Sequence, residues 1–222
     1  MQLFADRADA GRQLAEALAE YAENPAVVVL ALPRGGVPVG YEVACRLHAP
    51  LDVYVVRKLG VPGHEELAMG AVAGDGTCVV DEELLATLQI KPAALNAVAR
   101  REMDEIVRRE RAYRDTRPQA DVEGKTLIVV DDGLATGATM RAAATALRAR
   151  RPAAIIAAAP VATPRTCAGL RDVVDRVVCV WTPEPFHAVG LYYGNFEQTS
   201  DDEVRRLLAQ AEANRTGRSI SA

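Results

Sequence analysis

Apolar positions along the chain repeat with more than one period. Leu14, Leu18 and Tyr21 are spaced by four and three, which predicts a first helix over about residues 9–23 with Asp6 or Asp9 as its cap. The next segment, AVVVLAL at 26–32, is a short, continuous, β-branched run of the kind that forms a strand buried on both faces. It ends at PRGGVPVG and is followed by a helical pattern, GYEVACRLH. This unit of strand, glycine turn and helix recurs. LDVYVV (51–56), TLIVVDD (126–132) with a helix at about 138–150, AAIIAAAPV (153–161) with a helix near 164–172, and RVVCVW (176–181) all fit it. Alternating strands and helices predict an α/β fold, a Rossmann-like open parallel sheet with helices on both faces and right-handed crossovers.

Two stretches depart from that rhythm. GAVAGDGTCVV (70–80) places two short β-like runs around Asp75-Gly76, which predicts a hairpin after the mobile-looking GVPGHEE. Residues 92–117 form a long charged helix in which Leu95, Val98, Ala99, Met103 and Ile106 make one apolar stripe. That stripe suits packing on the domain or a partner surface. The polar end of the chain, 214–222, is expected to be disordered.

Composition narrows the classes. With 222 residues, half of them apolar, the chain suits one large α/β domain with a modest cap. The 26 basic residues against 30 acidic ones leave a net charge of −4, which speaks against nucleic acid or an anionic membrane as a partner. Any anion site must therefore be built locally. No apolar stretch has the length of a membrane span and the N-terminus reads as an amphipathic helix, so a cytoplasmic protein is expected. Cys45, Cys78, Cys167 and Cys179 form no C-x-x-C pair and lie in or near apolar segments, which suits reduced core thiols and gives no support for structural zinc.

The chemistry concentrates where strands end. LIVVDDGLATGATM (127–140) delivers Asp131 and Asp132, then Gly133, Leu134, Ala135, Thr136, Gly137, Ala138 and Thr139 open a helix. Small residues let backbone N–H groups wrap an anion, the helix N-terminus adds a favourable dipole, and both threonine hydroxyls can donate. A carboxylate would repel a phosphate held there, so the aspartates must face something else, and vicinal sugar hydroxyls are suitable donors. A phosphorylated ribose fits both halves. The loop is no Walker motif, since no G-K-[ST] follows and the acids precede the glycines. PRGG adds Arg34 with Gly35 and Gly36, and the strand ending near Val56 adds Arg57 and Lys58, which suggests a second, more highly charged anion.

VVDDGLATGATM resembles the signature of the type I phosphoribosyltransferases, which bind phosphoribosyl pyrophosphate (PRPP). LPRGGVPVG and VVRKLG resemble that family's pyrophosphate loop and the basic residues after its next strand. The resemblance implies that Asp131 and Asp132 hold the ribose hydroxyls, that residues 133–139 hold the 5-phosphate, and that Arg34, Gly35 and Gly36 bind pyrophosphate. Mg2+ would bridge ligand oxygens, reaching Asp131 and Asp132 indirectly. Arg57 and Lys58 would join Arg34 in stabilising the leaving pyrophosphate as a nitrogenous, purine-like base attacks the anomeric carbon. The resemblance further implies a non-proline cis peptide, expected at Arg34-Gly35, a lid at 60–76 and a homo-oligomer. His64, Glu65 and Glu66 are either acid/base groups or solvated lid residues.

Family members also carry a hood built from chain ends. Here that is about 1–23 and 181–213 around a core at about 26–181, making residues 1–213 one domain. WTPEPFHAVGLYYGNFEQTSDDEV (181–204) is similar to the hypoxanthine-guanine hood, so Phe186 is a candidate stacking residue and the Val189 backbone a candidate base contact. Packing among Trp181, Phe186, Tyr192 and Tyr193 is the alternative. Ala135 stands where hypoxanthine-guanine enzymes have a base-attending aspartate, so that role is missing. A regulator that keeps the fold as a PRPP or nucleotide sensor is the competing function. It would call for a basic face, whereas Arg100, Arg101, Arg108, Arg109, Arg111 and Arg114 alternate with acids. A hydrolase or phosphatase lacks a nucleophile elbow.

Overall fold

The computed structural model describes residues 3–114 and 119–219. Its centre is a five-stranded, all-parallel sheet in the order β2-β1-β6-β7-β8, formed by β1 (Val27–Ala31), β2 (Leu51–Val53), β6 (Thr126–Val130), β7 (Ala154–Val161) and β8 (Arg176–Trp181). Successive side chains of a strand point to opposite faces, and both faces here are apolar. Val27, Val29, Ile128, Val130, Ile156 and Ala158 meet the first helix, α1 (Arg7–Ala17), and α2 (Gly36–Leu47). Val28, Leu30, Leu127, Val129, Ile155 and Ala157 meet α5 (Ala138–Arg148) and α6 (Pro164–Leu170) on the other side. The doubly covered parallel sheet expected from the sequence is the one observed.

A second, antiparallel sheet runs β3 (Val56–Val61), β4 (His64–Ala73), β5 (Cys78–Val80). Its β4–β5 turn is the expected Asp75-Gly76 hairpin, closed by Ala73 N–H donating to the Thr77 carbonyl at 2.9 Å. The predicted strand at 51–56 is divided: β2 stops at Val53, and Val56 begins β3 in the other sheet. The expected lid is anchored at its base, because Met69, Ala71, Val72 and Ala73 are buried and Asp75 is paired with Arg150 at 2.5 Å. Its tip projects: Pro62, Gly63, His64, Glu65, Leu67 and Ala68 are exposed, as is Gly76 at the other turn, while the Glu66 side chain lies outside the described residues.

Two further helices, α3 (Glu82–Thr87) and α4 (Pro92–Arg114), follow the small sheet. The α4 stripe packs into the domain, with Ile106 fully buried among Leu59, Met69, Leu207 and Leu208 and with Leu95, Val98, Ala99 and Met103 alongside. Residues 115–117, the expected end of that helix, lie outside the described residues. The last helix, α7 (Asp201–Ser219), corrects the sequence reading. The expected disordered tail from 214 is helical as far as Ser219, and 220–222 lie outside the described residues. Val204, Leu207 and Leu208, at helical spacing, seat α7 on the α4 cluster.

The sheet order determines where a ligand can sit. The chain passes from β1 through α2 to β2 on one side and returns, after the antiparallel sheet and α4, to β6 on the other, so the crevice beyond the carboxyl ends of β1 and β6 is the topological switch point. The two loops richest in candidate chemistry, 32–36 and 131–137, leave those two strands.

Candidate active site

β1 and β6 run in register to Ala31 and Val130, and Leu32 N–H then donates to the Val130 carbonyl at 2.8 Å. That bond holds PRGG beside Asp131 and Asp132. A Cβ on Gly35 would lie 2.0 Å from Asp132 Oδ2, and one on Gly36 would lie 2.6 Å from the Val130 carbonyl oxygen. Any side chain at either position would drive the acids out of the crevice, so glycine is required by the protein's own carboxylates as well as by any ligand. The non-proline cis peptide is present one residue earlier than expected, at Pro33-Arg34. α2 begins directly at Gly36, four residues ahead of the helical pattern that the sequence suggested.

The acid pair is electrostatically costly. Burial and the charge of Asp132 hold the Asp131 carboxyl well above the ordinary carboxylate range. Burial also raises Asp132, and the Arg7 guanidinium pulls it part of the way back. Arg7 Nε donates to Asp132 Oδ2 at 2.8 Å with the two side chains only 12% and 15% exposed. The same guanidinium donates to the Glu197 carbonyl at 2.7 Å and lies 3.9 Å above the Phe196 ring. The Tyr193 hydroxyl donates to the Asp132 carbonyl. Arg7 and Tyr193 thus clamp Asp132 from both chain ends. Sequence reasoning missed Arg7, whose only signal is a basic residue next to the helix cap Asp6.

After the acids, residues 133–139, the segment expected to hold a phosphate, turn into α5 as a shallow cup. Gly137 has φ 70°, a left-handed conformation that turns the backbone into α5, and a Cβ there would meet Thr166 Cγ2 at 2.6 Å. Ala135, Thr136 and Thr139 are exposed. Among the described residues none accepts a hydrogen bond from the N–H groups of Ala135, Thr136 or Gly137, which leaves these donors to an anion. Leu134 is the exception. Its side chain is buried in the core, its N–H donates to the Val161 carbonyl at 2.9 Å, and its carbonyl accepts from Thr163 N–H. Leu134 anchors the cup and has no donor to offer a phosphate. Ala138 N–H donates to Thr136 Oγ1, so that hydroxyl oxygen already caps the helix start.

The three cations differ in their surroundings. Arg34 faces Asp201 at 3.6 Å, at the start of α7, where the Tyr113 hydroxyl also donates to Asp201. Arg57 is bound by Glu102 of α4, 2.6 Å from Nη2 and 2.7 Å from Nε. Although burial opposes it, hydrogen bonds from Arg57 and Arg101 hold the Glu102 carboxyl below its usual value. Lys58 is exposed. Both residues are carried by β3, not by a strand of the parallel sheet as expected. Arg57, Lys58, Glu65, Glu102 and Thr139 line one cleft of about 430 Å3.

In the expected hood, Phe186 is half-buried against Tyr192, with ring centroids 5.3 Å apart. Val189 begins a short 3-10 helix (Val189–Tyr192), and its side chain lies where a Cβ on Gly133 would be, 2.4 Å away. Tyr192 and Tyr193 are buried, whereas Trp181 is 47% exposed at the carboxyl end of β8. Packing describes the tyrosines and not Trp181. The segment before α1 joins this layer through Phe4, which pairs with Tyr193 in a single bridge. Cys78 is exposed, contrary to the expected core position.

Metal donors are few. Among the described residues no group of three or more His, Cys, Asp or Glu side chains converges. The two carboxylates of Asp131 and Asp132 suit Mg2+ carried chiefly by a ligand's own oxygens, the usual way in which this ion is held beside phosphates. Among the described residues no helix is long and apolar enough to cross a membrane.

An open α/β sheet with an acid pair and a small-residue loop at its switch point defines the class of fold, and comparison with known proteins gives the family. The chain belongs to the phosphoribosyl transferase domain family, whose family model matches residues 2–190. Proteins from the CDC 1551 and H37Rv strains of Mycobacterium tuberculosis, provisionally named phosphoribosyl transferases, are each 48% identical over 211 residues, 95% of this chain and 47% of theirs. The chain therefore spans about half the length of the curated relatives it matches. The crystal structure of TT1426 from Thermus thermophilus superposes with a TM-score of 0.86 at 42% identity, covering 95% of this chain and 99% of that one.

Proposed function

We propose that the protein transfers phosphoribosyl from PRPP to a nitrogenous, purine-like base, without a covalent intermediate and with release of pyrophosphate. The observation that carries this reading is the meeting of PRGG, the acid pair and the cup at one switch point, with Arg57, Lys58 and Thr139 lining the adjoining cleft. In this reading Asp131 and Asp132 accept hydrogen bonds from the ribose hydroxyls. The free N–H groups at 135–137 and the Thr139 hydroxyl hold the 5-phosphate. Arg34, Arg57 and Lys58 neutralise the leaving pyrophosphate, and Phe186 and Val189 bound the place of the base. Mg2+ bound with the substrate would supply charge neutralisation on the phosphate oxygens. Catalysis then rests on positioning and charge.

The test is calorimetric titration of PRPP with and without Mg2+ into the native chain and into Asp131→Asn/Asp132→Asn. Mg2+-dependent binding lost in the double variant is expected. Absence of binding to the native chain would overturn the reading. Binding without pyrophosphate release across a panel of bases would favour a PRPP sensor instead. The cytoplasmic location and homo-oligomeric state belong to the same proposal, the second being read by sedimentation.

A further inference from the structure

Cys167 lies on α6 and Cys179 on β8, with their sulfurs 3.4 Å apart and both residues half-buried at the edge of the core. A disulfide needs a separation of about 2.05 Å, so the two sulfurs must close by only about 1.4 Å. The partners differ chemically. The hydrogen bond between them and the charge of Arg171 bring the Cys167 thiol down to about 7, whereas that bond and burial push Cys179 up. The Arg171 charge favours the thiolate at Cys167, which leaves Cys179 placed to resolve it.

The neighbour of Cys167 connects this pair to the cup. Thr166 Oγ1 donates to the Ala135 carbonyl at 2.6 Å, and its methyl lies against Gly137. Thr163 caps the helix by accepting from Thr166 N–H at 2.9 Å, while its own N–H donates to the Leu134 carbonyl. The start of α6 is therefore stitched to residues 134–137. β8 is held in the sheet by β7, so closure of the two sulfurs must be taken up largely by α6.

We propose that Cys167 and Cys179 form an oxidation site, closed to an intramolecular disulfide by a hydroperoxide, that loosens the anion cup through Thr166. The Cys167 thiolate attacks one peroxide oxygen, the O–O bond breaks, and the other oxygen leaves and takes a proton to become water. The resulting sulfenic acid is attacked by the Cys179 sulfur: the S–S bond forms, the S–O bond breaks, and the hydroxyl leaves as water with the Cys179 proton. Two thiols and one hydrogen peroxide thus give one disulfide and two waters. The oxidation does not depend on the proposed transferase activity; any consequence for PRPP rests on that reading.

The experiment treats the full chain with hydrogen peroxide and reads thiols, mass, peptide map and amide hydrogen exchange. Expected are loss of two of the four thiols, a mass lower by two hydrogens, a peptide linking Cys167 to Cys179 within one chain, and exchange about fivefold faster at Thr163 and Thr166, whose N–H groups are bonded to the Leu134 carbonyl and to Thr163 Oγ1, the effect of weakening about one hydrogen bond. Cys167→Ser and Cys179→Ser should each abolish the link, and Cys45→Ser/Cys78→Ser should keep it. The proposal is overturned by no thiol loss, by a link through Cys45 or Cys78 or between chains, by oxygen added to one sulfur without a link, or by unchanged exchange at Thr163 and Thr166 in the linked protein. Each readout is independent of PRPP, so failure of the transferase reading and failure of this one are separately visible.

Discussion

Arg7→Met tests the electrostatic account of the site most directly. The substitution keeps much of the apolar stem but removes the cation that Asp132 meets at 2.8 Å, the hydrogen bond to Glu197 and the contact above Phe196. With both partners nearly buried, removing one leaves an uncompensated carboxylate beside Asp131. Breaking such a pair costs roughly 3–5 kcal/mol. Asp132 relieves part of this by taking up a proton, so the loss should be about 3 kcal/mol near neutral pH. For a chain of this size that lowers Tm by roughly 6–12 °C. Burial raises Asp132 and Arg7 opposes the rise, so losing Arg7 raises its folded pKa further. A carboxyl whose folded pKa is raised contributes stability that is present below its unfolded pKa, near about 4, and lost as pH rises through the folded value. The gap between native and variant chains should therefore be narrow near about pH 4 and widen towards neutrality. Urea unfolding across that range measures it, and Arg7→Met/Asp132→Asn should recover about 2 kcal/mol as coupling. A cost below about 1 kcal/mol, or one that does not change with pH, would refute the reasoning.

Other perturbations reach the same site from different sides. Asp131→Asn should raise stability near neutral pH by about 1 kcal/mol, seen in the urea midpoint, because burial and Asp132 raise the native carboxyl and its contribution fades as pH climbs from about 4. PRPP binding by calorimetry should weaken in the same variant. Gly35→Ala places a methyl against Asp132 Oδ2 and should cost about 1–3 kcal/mol by urea unfolding. Gly137→Ala combines a left-handed backbone with a contact on Thr166 and should cost about as much. Glu102→Gln frees Arg57 from its counter-ion and should tighten pyrophosphate binding by about threefold to tenfold in calorimetry; unchanged affinity would remove Arg57 from the anion site.

Much of this protein was legible in one dimension because its signals are local. A continuous β-branched run such as residues 26–32 reads as a doubly buried strand wherever it occurs, and the acid pair followed by small residues describes an anion cup before any packing is known. Only the tertiary structure brought Arg7 to Asp132, Glu102 to Arg57 and Asp201 to Arg34, since each pair joins residues far apart in the chain and no period marks them. It also moved Arg57 and Lys58 onto an antiparallel strand and turned the polar end into α7, whose apolar signal is reduced to Val204, Leu207 and Leu208. The sequence by itself determined the alternation of elements and the chemistry at the ends of β1 and β6, because both depend on near neighbours. Which charges cancel, and which backbone donors stay free for a ligand, was decided by contacts that exist only once the sheet has assembled.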